Sequence, residues 1–132
     1  MMKNQKKIDT HCHSGENWYE PVESLLFQMD NNNVSKAIII QHGGFFNHEY
    51  LFEASTKYIN RIHIVAQLDP NDKNPLKTLE KLKSSGACGI RLSPNTKFSK
   101  ITPKKIWNTA GELGLPVSVH SDLSGLISEN FQ

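Results

Sequence analysis

Cysteine is scarce in this 132-residue sequence: only Cys12 and Cys88 occur. Their spacing offers no disulfide framework, which excludes the small stapled secreted scaffolds and fits a reducing compartment. Long hydrophobic runs are missing as well. No stretch approaches the roughly 20 apolar residues of a membrane helix, and no apolar segment of secretory length follows the basic opening Met1-Met2-Lys3-Asn4-Gln5-Lys6-Lys7. The expected location is the cytoplasm. Charge of one sign is missing too, since 15 basic and 13 acidic residues are dispersed to a net +2. The lysines fall mostly on predicted helix faces, not in a stripe interleaved with aromatics, so neither a nucleic-acid nor a membrane partner is expected. No G-x-G-x-x-G and no P-loop follows any predicted strand, which leaves a nucleotide-binding sheet without support.

What is present is an even alternation. Ile8 to His13, Lys36 to Gln41, His63 to Leu68, Gly89 to Ser93 and Pro116 to His120 each read as a short buried strand. Their starts are separated by 28, 27, 26 and 27 residues, and each gap carries a helical pattern. This is the signature of successive βα units on a parallel sheet, an α/β fold. The first helix starts near Pro21 with Val22, Leu25, Leu26 and Met29 on one face, and ends in Asn31-Asn32-Asn33, where an asparagine can take the left-handed cap. The second begins at Asn47 as N-cap, with Leu51, Ala54 and Tyr58 at core spacing. Asn74-Pro75 opens the third, which runs along Leu76, Leu79 and Leu82 to Gly86; Thr102-Pro103 opens the fourth, which runs along Ile106, Ala110 and Leu113 to Gly114. At this length the chain is a single domain, 1–132. Two architectures fit: an open doubly wound sheet, or a closed (β/α)8 barrel of which five units are present. Eight such units would make roughly 220 residues, near the usual barrel size of about 250.

The chemistry concentrates at strand ends. Residues i and i+2 of a strand share a face, so His11 and His13 point the same way. Two neutral imidazoles can hold a divalent metal, most readily zinc, if a third ligand arrives from elsewhere. His120, ending the strand Val117-Ser118-Val119, is the candidate. Asp9 shares the face of the pair and could orient a ligating imidazole; the alternative is a strand-end carboxylate on backbone amides. Cys12 faces away and reads as packing. Arg91 offers a planar guanidinium suited to a substrate carboxylate or carbonyl oxygen, or else makes an ion pair or bonds a neighbouring strand-end backbone. His42 lies in the Gln41-His42-Gly43-Gly44 turn as a candidate substrate contact. His48 and His63 read as structural, and Trp18 and Trp107 as packing, with Trp18 also placed to wall a pocket.

From Ile8 to about Leu123 the chain resembles the amidohydrolase superfamily, and within it the amidohydrolase-2 group of barrel hydrolases, lactonases and decarboxylases. The resemblance rests on Asp9-Thr10-His11-x-His13, the Gln41 to Tyr50 loop with Asn47, Ala66-x-Leu68-Asp69-Pro70, Gly89-Ile90-Arg91-Leu92, and Gly114-Leu115-Pro116-Val117-x-Val119-His120. It implies a partial (β/α)8 barrel truncated after strand five, with His11, His13 and His120 as metal ligands. It implies one divalent metal, since the lysine that bridges two metals at the end of strand four has no counterpart in Gly89-Ile90-Arg91-Leu92-Ser93. The function implied is hydrolysis of a small carboxylated lactone, ester or amide. The family's strand-six histidine and strand-eight aspartate are absent, so no catalytic set is complete on this chain, and an unpaired barrel is expected to be unstable, to self-associate or to need a complementing chain. The final stretch from Ser124 to Gln132 stops where the fifth helix should begin, with no capping device, and reads as a truncation. A TatD-like nuclease also begins Asp-x-His-x-His but ends strand four in glutamate, which ranks it lower; a non-catalytic remnant or interaction fragment is the alternative outside the enzymes.

Overall fold

The computed structural model describes residues 5–127. Five strands, β1 (Lys7–Cys12), β2 (Val34–Ile40), β3 (Ile62–Gln67), β4 (Gly89–Leu92) and β5 (Val117–Val119), alternate with α1 (Val22–Asn31), α2 (Glu49–Lys57), α3 (Pro75–Ser84) and α4 (Pro103–Glu112); a short α5 (Leu123–Leu126) follows β5. The strands form one sheet in the order β1-β2-β3-β4-β5. A doubly wound sheet reverses its order at a switch point, and a barrel does not. The unbroken order therefore selects the barrel progression over the open alternative. No helix among the described residues is long and apolar enough to cross a membrane.

The described residues fall into two compact units, one reaching Ile40 and including Asn47–Ile64, the other made of Gln41–Phe46 and the residues from Val65 onward. In the first, β1 pairs parallel with β2, Ile8 opposite Lys36 and Cys12 opposite Ile39, with a register irregularity between Asp9 and Cys12. Val22, Met29, Ala37, Ile39, Leu51, Ala54, Ile62 and Ile64 form its core. Helix α1 contributes through the stripe the sequence shows, Val22 and Met29 buried and Leu25 and Leu26 packed beside them. The N-terminal N–H of Val22 donates to the Tyr50 hydroxyl at 2.9 Å, which ties α1 to α2. Asn33 leaves α1 with φ 57°, the left-handed asparagine expected there. The Arg61 guanidinium donates to the Ser35 carbonyl and to Asp30 at 2.8 and 2.7 Å. It pins the start of β2.

In the second unit β3, β4 and β5 are parallel, with Ala66 opposite Ile90 and Ile90 opposite Val117. Leu79, Ile90, Leu92, Ile106, Ala110 and Leu115 are buried among its core residues. Thr102 caps α4 by accepting from the Lys105 N–H at 3.2 Å. Asn74 stands at the start of α3 without such a bond, so Pro75 with its fixed φ opens that helix. Gly89 is needed for proximity, because a Cβ there would lie 2.8 Å from the Pro116 carbonyl oxygen and 3.3 Å from Val65 Cγ2. Two expectations shift. Helix α2 starts at Glu49 with His48 as cap, while the Asn47 side chain accepts from the Glu49 N–H at 2.9 Å in a turn before it. The segment after β5 does hold a cap: Asp122 accepts from the Gly125 N–H at 2.8 Å and starts α5.

Candidate active site

The C-terminal end of β1 carries the imidazole pair. His11 closes the strand's exposed side and His13 lies just beyond it, their ring centroids 5.2 Å apart with planes at 88°. The alternation that puts them on one side puts Cys12 on the other, where its thiol donates to the Ile38 carbonyl at 3.4 Å. Burial, with the Asp9 charge adding to it, pushes this thiol up to about 12. Cys12 is a packing thiol at neutral pH, as the sequence suggests.

His13 Nδ1 lies 2.7 Å from the Ile40 carbonyl oxygen at the end of β2. A carbonyl only accepts, so Nδ1 carries the proton and Nε2 of the neutral ring keeps its lone pair. This is the arrangement in which an imidazole ligates a metal through one nitrogen while the other is held by the protein. The Tyr19 ring stacks on the same imidazole at 4.9 Å and 23°. The donor set thus fits a divalent ion for two of its ligands. Among the described residues no three His, Cys, Asp or Glu side chains group closely enough to hold a metal ion. Asp9 turns to the backbone: its Oδ1 accepts the His11 N–H at 3.0 Å. It fixes the strand end from which both histidines project, by way of the chain and not through a ring.

In the second unit Arg91 extends from β4 and donates to the Gln41 carbonyl at 3.1 Å. Its backbone-bonding alternative is therefore realised. Gln41 is buried, its N–H donates to Val65 O at 2.9 Å, and its side-chain oxygen accepts the His42 N–H at 3.1 Å. His42 stacks on Phe45 at 5.0 Å and 18°, in a turn closed by Phe45 N–H on the His42 carbonyl and by Gly44 at φ 81°. A guanidinium and a histidine turn are thus held to one strand-end residue. His120 follows β5, its N–H bonded to Leu92 O at 3.0 Å and its side chain exposed. His48 is buried against Phe52, a structural histidine as expected. Trp18 is exposed, not packed in a core, and so is Trp107 in part.

Sequence reasoning missed Tyr19, Ser14 and Gln41. A tyrosine six residues after a histidine carries no local signal of stacking, and a glutamine serving through its carbonyl is chemically invisible in a sequence.

No family model matches the chain, and no curated protein matches it in sequence. Solved structures do match. A probable 2-pyrone-4,6-dicarboxylic acid hydrolase from Acinetobacter baumannii, with citric acid bound, is 22% identical with a TM-score of 0.72 over 92% of this chain and 52% of that one. A 2,6-dihydroxybenzoate decarboxylase from Rhizobium is 15% identical, TM-score 0.68, over 89% and 50%. A 5-carboxyvanillate decarboxylase from Novosphingobium aromaticivorans, complexed with manganese, is 12% identical, TM-score 0.57, over 91% and 54%. At such identities the likeness establishes the fold, a partial (β/α)8 barrel of five βα units. The chain spans about half the length of each structure it matches.

Proposed function

We propose that the chain carries part of the site of a metal-dependent enzyme of the amidohydrolase-2 type that hydrolyses a small carboxylated lactone, ester or amide. The observation that carries this reading is His13, with Nδ1 fixed on Ile40 O at 2.7 Å and the His11 ring beside it, at the strand end where barrels place their chemistry. His11 and His13 would supply two of the ligands of one divalent ion. The imidazole donors favour zinc, and the manganese in the decarboxylase neighbour makes it the comparison ion. A bound divalent ion would supply Lewis acidity, drawing the pKa of water to about 7 and polarising a carbonyl. The chain's own residues set that site up. Asp9 fixes the strand end, Ile40 O holds the proton of His13 away from the ligand edge, and Cys12 keeps out of the donor set. Arg91, anchored on Gln41 O, keeps further N–H donors with which to orient a carboxylate. The carboxylated compounds named for the neighbours support that substrate class. The same names support a second reading, decarboxylation of a hydroxylated aromatic acid, which release of carbon dioxide would separate from hydrolysis.

The test is metal retention. After loading with zinc and dialysis, the wild-type chain is expected to keep zinc that the His11→Ala/His13→Ala variant loses. Equal sub-stoichiometric zinc in both would sink the reading.

A further inference from the structure

The loop after β1 is tied back on itself. The buried Ser14 hydroxyl donates to the Glu20 carbonyl at 2.8 Å, and the Gly15 N–H donates to the same oxygen at 3.3 Å. One carbonyl receiving both donors closes residues 14–20 into a ring. Tyr19, the residue before that carbonyl, is thereby set on the face of His13, with centroids 4.9 Å apart and planes at 23°. The bond from His13 Nδ1 to Ile40 O fixes one edge of the imidazole, and the stack fixes its plane. A side chain with only one of these restraints could still turn about the bond or flip its ring; with both, Nε2 is the edge left to a ligand.

We propose that Tyr19 is a positioning residue, which clamps His13 so that it offers Nε2 to a divalent ion while Nδ1–H stays on Ile40. This deepens the metal reading above and rests on it. The clamp is set before any ion arrives, so ordering the ligand costs little at the moment of binding. The clamp acts through the stacked ring. Ser14 acts one step further back, by holding the loop that presents the ring.

The experiment uses the full chain, free of metal, in wild-type, Tyr19→Phe, Tyr19→Ala and Ser14→Ala forms. Imidazole nitrogen shifts recorded at about pH 8.5, where histidines are neutral, report the His13 tautomer; chelator competition with zinc alone reports affinity. Wild type and Tyr19→Phe are expected to show one tautomer with Nε2 unprotonated. Tyr19→Ala is expected to show averaged shifts and to bind zinc about threefold to tenfold more weakly, with Ser14→Ala in between. Backbone amide spectra establish that the variants are folded. A Tyr19→Ala chain with the wild-type tautomer and wild-type zinc affinity overturns the clamp. A wild-type chain that binds no zinc overturns the metal reading instead, and the tautomer comparison then upholds or overturns the Tyr19 clamp on its own.

Discussion

Strand β4 buries Gly89, Ile90 and Leu92, whereas β1 leaves Lys7, Ile8, Thr10 and His11 exposed. Among the described residues the inner strand has β3 on one side and β5 on the other, and β1 has β2 alone. Their residues follow from that difference. An inner strand lies between layers of apolar side chains, and a polar group placed there must find a partner or pay for desolvation. Among the described residues β1 is largely exposed and meets less of that demand, so Asp9, His11 and, just past the strand's end, His13 sit there without a large penalty. Stability and chemistry are thereby assigned to different strands. The residues proposed to bind an ion are the ones whose loss the fold should tolerate best.

The widest gap should appear between two isoleucines. Ile90 is 0% exposed and Ile8 57% exposed. Truncating Ile90 to alanine removes fully buried methylenes and leaves a cavity, which costs about 2–5 kcal/mol. Ile8→Ala should stay within about 0.5 kcal/mol, as exposed positions do. Urea unfolding followed by circular dichroism compares the two, and equal losses would break the assignment of stability to the inner strands.

The comparison also explains what the sequence made legible. The strand and helix alternation needs only local pattern, and Asn33, Gly86 and Gly114 take the positive φ values expected of helix ends. The His11–His13 pair was legible because alternation along a strand is a two-residue matter. What the pair faces was not. Tyr19 returns through a loop closed by Ser14 and Glu20, Arg91 meets the carbonyl of a residue 50 positions earlier, and His42 settles on Phe45. Each depends on loop geometry or on a strand neighbour, and neither leaves a periodic trace. The α5 cap at Asp122 was missed because the helix it starts is one turn long, too short for periodicity to show.

A pair of glycines sharpens the same contrast inside the second unit. At Gly89 an added Cβ would press on the Pro116 carbonyl, a backbone atom with little freedom to move, so Gly89→Ala should cost about 1–3 kcal/mol. Gly111, within α4, has nothing within 4 Å of such a Cβ. Gly111→Ala should stabilise by about 0.5–1 kcal/mol, through helix propensity and a less disordered unfolded chain. Opposite signs for one chemical change would place the constraint in the β4–β5 contact; like signs would remove it.

The smallest effect belongs to the other outer strand. Beyond β5, Asp122 accepts from the Gly125 N–H and from the Ser124 hydroxyl at 2.8 and 2.9 Å. These bonds, the backbone one foremost, hold its carboxyl below the usual aspartate value. Because the folded state binds the proton less readily than the unfolded one, the cap's contribution is complete above the ordinary aspartate range and fades as pH falls through the lowered value. The carboxylate is exposed to solvent, so the consequence is local: α5 frays in acid while the buried strands hold. Nuclear magnetic resonance titration of the Asp122 carboxyl carbon should give a midpoint below that of an unstructured aspartate, and the Gly125 amide should move with it. In Asp122→Asn, which can still cap, the Gly125 amide should lose that acid transition. An ordinary midpoint, or a Gly125 amide indifferent to pH in the wild type, would show that the turn after β5 does not depend on this charge, and would leave β1 as the outer strand whose polar groups have an assigned task.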